Sequence, residues 1–281
     1  MITKALKKLL SHRQRVGKRR KARLLEQRSP FSPSSDDTYI VEFPKAGSTW
    51  FSFLIANVNL QINKSPIKVT WRNLREYAFD VDDHRDVPAN PFPLPHGRFI
   101  HSHADFNRLY GRVLYLVRDP RDVFVSYYDM KTELGEFQGT MDTFLASEDY
   151  GIPAWNRHVG GWLRGHTPAN YIQFFRYEDL KTHPSAILDR VHKLYGIDVD
   201  PSILENAVER SSLAAMRQSE QFYREKSYDF KPEFKFVRKG VSGGFSDALN
   251  PAQISLIEEN CAEWMQIFDH LPVSKSPENG P

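Results

Sequence analysis

The feature that most constrains this chain is a short apolar run, Thr38–Phe43, that passes through Pro44-Lys45-Ala46-Gly47-Ser48-Thr49-Trp50 into a helix-forming stretch, Ser48–Asn59. A run this short and this apolar reads as a buried strand, and the glycine-containing turn after it as the start of a βα unit. The same grammar recurs. Val113–Val117 is a second apolar strand followed by a helix through Asp122–Lys131, and Tyr171–Phe175 is a third core strand. Further helices are expected near Met141–Ser147, around Ala154–Leu163, and over Pro184–Tyr195, Pro201–Ala207 and Pro251–Phe268. Residues 64–97 are proline-rich without clean periodicity and read as loops, with a short helix near Trp71–Ala78. Strands alternating with helices imply an α/β fold: a single domain with a central parallel sheet flanked by helices.

Length and charge bound the domain. The 281 residues are enough for one large α/β domain with a sizeable core. Residues 1–28 hold eleven Lys/Arg against the single Glu26, a charge of +10, whereas the whole chain is only +3, so the remainder is about −7. The basic character belongs to a leader and not to the folded body, which counts against a nucleic-acid partner. Within the leader Ile2, Leu6, Leu9 and Leu10 share one side of a helix, with Lys4, Lys7 and Lys8 around it. Such a segment suits peripheral contact with an anionic membrane surface, and it equally suits a solvated basic tail. Residues 29–37 are a breaker-rich linker, so 1–37 are read as flexible leader and linker, 38–271 as the domain and 272–281 as a loose tail. One cysteine, Cys261, excludes an intramolecular disulfide and a Cys-rich zinc site, and fits a cytoplasmic chain. No stretch approaches the roughly 20 apolar residues of a membrane span.

Three clusters carry chemistry. After the first strand, Gly47 lets the backbone approach a ligand, Ser48 and Thr49 offer hydroxyls at a helix start, and Lys45 adds a point charge. A helix N-terminus favours a phosphate through its unpaired N–H groups and its dipole. The Walker triplet is missing, and an ordinary capped βα turn reads the same way. After the second strand, Arg118-Asp119-Pro120-Arg121-Asp122 leads to Ser126-Tyr127-Tyr128. Arg118 stands where open parallel sheets bind ligands and has a fork of donors suited to phosphate oxygens. Asp119 and Asp122 are also placed to pair with Arg118 or Arg121 in a salt-bridged turn. The third cluster, Arg238-Lys239-Gly240 with Gly243-Gly244, suits a loop that closes over an anion and also a plain surface loop.

Taken together and in order, these segments resemble the family of sulfotransferases that use 3′-phosphoadenosine 5′-phosphosulfate (PAPS), especially the cytosolic small-molecule type. Pro44-Lys45-Ala46-Gly47-Ser48-Thr49-Trp50 is similar to its P-loop-like phosphosulfate-binding loop, and Tyr115–Asp122 through Ser126-Tyr127-Tyr128 to its 3′-phosphate segment. Phe175-Arg176-Tyr177-Glu178-Asp179-Leu180 is similar to its Tyr-Glu-Asp strand end, and Arg238-Lys239-Gly240 with Gly243 to its C-terminal signature. The resemblance implies that Lys45 contacts the phosphosulfate, that Ala46, Gly47, Ser48 and Thr49 cradle it, and that Trp50 stacks on adenine. It implies that Arg118 and Ser126 hold the 3′-phosphate with Arg238, Lys239 and Gly240. Tyr177 would contact adenine, and Ser212 and Leu213 would supply further nucleotide contacts.

Sulfuryl transfer to a hydroxyl goes faster if a base takes the proton, and histidine suits this near neutral pH. Arg98-Phe99-Ile100-His101-Ser102-His103 resembles the family's Lys-Thr-His segment, which puts His103 at the catalytic histidine and His101 at the lysine. A strand would turn both rings to one face, so the pair also reads as two metal ligands, although the sequence offers no evident third. The expected reaction is direct in-line transfer from PAPS to a hydroxyl or amine of a small molecule, lipid or glycan, releasing 3′-phosphoadenosine 5′-phosphate (PAP) and requiring no metal. Trp71, Tyr77, Phe79, Phe92 and Phe106 are candidates to line an apolar acceptor pocket. A kinase-like nucleotide site and a non-enzymatic binder led by the basic segment are the rival readings.

Overall fold

The computed structural model describes residues 34–81, 94–165, 171–226 and 242–270. The basic leader and the loose tail therefore lie outside the described residues, as do Phe92 and the trio Arg238, Lys239 and Gly240. Five parallel strands form one sheet: β1 (Thr38–Glu42), β2 (Ala78–Asp80), β3 (Phe99–Ser102), β4 (Arg112–Val117) and β5 (Tyr171–Arg176), in the order β2-β3-β1-β4-β5. Around it lie α1 (Ser48–Ile62), α2 (Leu74–Tyr77), α3 (Pro120–Glu133), α4 (Met141–Leu145), α5 (Ile152–Arg164), α6 (Tyr177–Thr182), α7 (Pro184–Lys193), α8 (Pro201–Arg210), α9 (Leu213–Lys226) and α10 (Pro251–Ile267). Among the described residues no helix is long and apolar enough to cross a membrane.

Strand alternation builds two cores, one on each face. Tyr39, Val41 and Phe43 of the β1 run, with Val113, Tyr115 and Val117 of β4, pack with Phe124 of α3, Trp155 and Trp162 of α5, and Ile257 and Met265 of α10. Ile40, Leu114 and Leu116 point the other way, onto Phe51, Leu54 and Val58 of α1, Leu188 of α7 and Leu204 of α8. Both faces of the sheet are thus closed by helices. Each fully buried side chain of this size contributes on the order of 1.5–3 kcal/mol.

Several elements depart from expectation; α6, for one, is a helix where only the end of a strand is expected. The helix near Trp71–Ala78 is only Leu74–Tyr77, and the chain then forms β2, which extends the sheet beyond β3. Helix α9 begins at Leu213, which with Ser212 is expected to contact nucleotide, and runs on through a stretch for which no element is expected. It starts where the Ser212 hydroxyl accepts from the Ala215 amide at 3.3 Å and packs inward through Met216.

Candidate active site

The loop after β1 owes its shape to two residues in the left-handed region, Lys45 at φ 81° and Gly47 at φ 110°. Gly47 is also required by space, because a Cβ there would meet the Tyr177 ring at 2.7 Å. Gly47 is the N-cap of α1 and provides no side chain to cap it. That task falls to a residue the sequence reading passed over, Glu42. It follows Ile40 on the α1 face of β1, so its carboxylate reaches the start of α1. One oxygen accepts from the Ser48 backbone N–H at 2.7 Å, and the other meets the Ser48 hydroxyl at 2.6 Å.

From Ser48 the network runs across the sheet. The Ser48 Oγ lies 2.7 Å from His101 Nε2, and His101 Nδ1 lies 3.2 Å from Asp80 Oδ2. The β2–β3 register places Asp80 directly beside His101, which is why carboxylate and ring meet. Arg75 closes the line at 2.9 Å from the same Asp80 oxygen. His103 follows β3, its ring 4.5 Å from that of His101 and perpendicular to it. Its Nδ1 lies 3.2 Å from the Glu42 backbone carbonyl, which can only accept. Nδ1 therefore carries the hydrogen in the neutral ring, and Nε2 keeps its lone pair.

Burial pushes the Glu42 carboxyl up, against the pull of His103, Ser48 and Lys45. Burial pushes His103 down, helped by His101 and opposed by Glu42. Both shifts favour neutral forms: a His103 poised to accept a proton, beside a carboxyl that tends to keep one. The third ligand that the sequence did not reveal for a His-x-His metal site is Glu42, since one ligand atom from each of Glu42, His101 and His103 lies within 4.8 Å of the others. In the structure both Glu42 oxygens and His101 Nε2 engage Ser48.

The other candidates gather around the same loop. Arg118, at the end of β4, donates to the Lys45 carbonyl at 3.2 Å, lies 4.6 Å over the Tyr177 ring and sits 3.6 Å from Asp122. Arg121 pairs with Asp119 at 2.6 Å, so both alternative pairings of this turn occur together. Asp122 accepts from the amides of Gly243 and Phe245 at 2.8 and 3.1 Å, which brings the glycine-rich C-terminal segment to the Arg118 corner. Trp50 donates to the Ser211 carbonyl at 3.0 Å and meets Tyr177 edge-on at 6.0 Å. That contact places Ser212 and Leu213, both exposed, beside the α1 start. Ser126 is half-buried on α3, and Ala46 is buried beneath the loop.

Three of the aromatic residues expected to line an acceptor pocket have packing roles. Phe79 is in the core, Trp71 packs on Phe53 and donates to the Met216 carbonyl, and Phe106 packs edge-on against Trp162. The described lysine and arginine, the glycine turn and the helix start thus meet at the carboxyl end of the sheet, as an anionic nucleotide requires. The partly exposed His103 ring stands beside them.

Residues 35–269 match the family model described as the sulfotransferase domain. Mouse Sulfotransferase 2B1 is 27% identical over 263 residues, 87% of this chain and 75% of that protein. Among solved structures, retinol dehydratase in complex with androsterone and inactive cofactor PAP aligns with a TM-score of 0.64 at 17% identity, covering 89% of this chain and 84% of that one. Mouse sulfotransferase SULT7A1 complexed with PAP aligns at 0.61 and 19% identity, covering 88% and 90%. The two structures speak for the fold, and the family model, spanning most of the chain, for its kinship. The chain belongs to the PAPS-dependent sulfotransferase family.

Proposed function

We propose that this enzyme transfers the sulfuryl group of PAPS directly to the hydroxyl of a small apolar molecule, with His103 as the general base. The observation that carries the reading is the His103 ring: Nδ1 faces the Glu42 carbonyl, burial favours the neutral form, and Nε2 remains to receive a proton beside the Lys45–Thr49 loop. PAPS supplies, when bound, a sulfuryl group on a phosphate leaving group. Lys45, Thr49 and the first amides of α1 stabilise the charge that builds on that phosphate. Arg118, Ser126, Arg238, Lys239 and Gly240 hold the 3′-phosphate, while Trp50, Tyr177, Ser212 and Leu213 hold the adenosine. His103 Nε2 takes the acceptor's proton as its oxygen attacks sulfur in line.

A small hydroxylated acceptor is supported by the androsterone in the retinol dehydratase complex. A lipid or glycan hydroxyl reached through membrane contact of residues 1–28 is the finer alternative. The test is PAP release from PAPS, followed with a panel of sterols, phenols and sugars. Acceptor-dependent release is expected for at least one, and unchanged by deleting residues 1–28 when the acceptor is soluble. Release at the same low rate with and without every acceptor would contradict the reading.

A further inference from the structure

Parallel pairing of β1 with β3 sets a carboxylate beside two imidazoles. Side chains alternate along a strand, so Glu42 shares the α1 face of β1 with Ile40, and His101 and His103 share one face of the β3 run. Ile40 pairs with His101 and Val41 with Ser102, which keeps the two strand ends level. The two rings are 4.5 Å apart, and one ligand atom from each of the three residues falls within 4.8 Å of the others. Ligands of one tetrahedral zinc ion, bonded at about 2.0–2.2 Å, stand roughly 3.3 Å apart, so small side-chain rotations close the set.

Both rings already have the outer partners that metal-binding imidazoles use. His101 Nδ1 lies 3.2 Å from Asp80 Oδ2, which Arg75 holds from behind at 2.9 Å. His103 Nδ1 lies 3.2 Å from the Glu42 backbone carbonyl. Each Nδ1 keeps its hydrogen on an outer acceptor, and each ring is left with its lone pair on Nε2. Ser48 marks the place between donors: its hydroxyl oxygen lies 2.6 Å from Glu42 Oε1 and 2.7 Å from His101 Nε2. Glu42 Oε2 accepts from the Ser48 N–H at 2.7 Å, so Oε1 can turn to an ion without releasing the carboxylate from the helix start. Glu42 is only 3% exposed, and a cation would give that buried carboxylate a counter-charge. The partly exposed His103 ring provides the way in.

We propose that Glu42, His101 and His103 bind a zinc-class divalent cation with one ligand position left open, and that the filled site is an inhibited state of the enzyme. Two imidazoles and one carboxylate favour zinc, cobalt or a related transition ion over magnesium and calcium, which take oxygen ligands. The Ser48 hydroxyl gives up its bridging position, and water takes the open one. The inhibition rests on the reading of His103 as the base, because a lone pair bonded to an ion cannot take the acceptor's proton. The binding stands independently of that reading.

The experiment is titration of the full chain, first stripped of metal with a chelator, with Co(II) alone, followed by visible absorption, and then with Zn(II) as competitor. Wild type should bind one Co(II) per chain with the intensity of a four- or five-coordinate ion and no thiolate band, since Cys261 is buried elsewhere, and Zn(II) should displace it. His101→Gln should weaken binding at least about 100-fold, and Asp80→Asn about 10–100-fold through the orientation of His101. His183→Gln, at an exposed histidine, should leave binding unchanged. If His101→Gln fails to fold, His103→Gln, at the partly exposed ring, reads the same loss. PAP release from PAPS is assayed alongside: turnover should fall as Zn(II) fills the site and return when a chelator is added. No Co(II) binding, or binding that the folded His101 and His103 variants retain, would overturn the proposal and leave the base reading untouched. Binding that the variants lose, with turnover unchanged at saturating Zn(II), would keep the site but overturn the inhibited state and, with it, His103 as the base.

Discussion

Two clusters of histidines sit along α1, and they are built to opposite ends. At the helix start, His101 and His103 share their surroundings with Glu42, Asp80, Lys45 and the Ser48 hydroxyl, and His103 is only partly buried. Further along, His96 and His192 each place Nε2 3.2 Å from the Asn59 side-chain amide, and each Nδ1 meets a backbone carbonyl, Gly97 for His96 and Leu188 for His192. Burial depresses the pKa of His103, His96 and His192, to about 4 for His96. The difference is company. The second pair meets only uncharged groups, the Asn59 side-chain oxygen and two backbone carbonyls. The first pair instead meets carboxyls and a hydroxyl, and the His103 ring is partly exposed, as the proposed base requires. Depressed pKa alone does not mark a catalytic histidine; the partners and the exposure do.

The largest effect should come from removing the base. His103→Ala is expected to lower kcat by about 10²–10⁴ while PAP binding persists, as general-base contributions usually run. His192→Gln should leave kcat close to wild type and lower the melting temperature instead. Steady-state kinetics beside calorimetry read both, and a His192 variant that binds PAP, stays folded and yet loses turnover would break the comparison.

Acid should separate the clusters next. His96 binds its proton near pH 4 when folded but near 6.5 when unfolded, so the unfolded chain takes up more protons in between. Stability should therefore fall as the pH drops from about 6.5 towards 4, by up to roughly 3 kcal/mol from this group, in urea melts. His96→Gln should flatten that slope. Activity should fall separately, at the acid pH where His103 gains its proton, and hold at neutral pH. The smallest effect is backbone strain at the loop. Gly47→Ala should cost about 1–2 kcal/mol from its positive φ, and more from the Tyr177 ring at 2.7 Å, seen as weaker PAP binding. Gly196→Ala, at φ 70° with open space around it, should cost only the backbone part and leave PAP binding alone.

Much of this arrangement is written locally in the chain. The apolar runs of β1, β4 and β5 are contiguous, and the Lys45–Thr49 turn follows its strand directly, so both are legible as sequence. Three residues of β2 are too few to show a period, and their strand character comes from pairing with β3. Helix α9 is largely polar in sequence, and over residues 213–222 few side chains such as Met216 face inward, so its hydrophobic signal is faint. Glu42 was hidden for a different reason. A single acid between Val41 and Phe43 reads as a strand's outward residue, and only the sheet order brings Ser48, His101 and Asp80 to it. The signal available was an unpaired charge in an otherwise apolar strand immediately before a phosphate-type loop. The Arg118–Tyr177 stack likewise joins residues far apart in sequence.

The central claim is that the Lys45 loop and the Arg118 corner form one site for a nucleotide with a 3′-phosphate. The most direct test is calorimetric titration of the full chain with PAP and with AMP, which lacks only that phosphate, repeated on Arg118→Ala. Charge-assisted hydrogen bonds of about 1.5–3 kcal/mol predict PAP binding at least about tenfold tighter than AMP, with the advantage lost in Arg118→Ala. Equal affinity for PAP and AMP in wild type, or an advantage that survives Arg118→Ala intact, would contradict it.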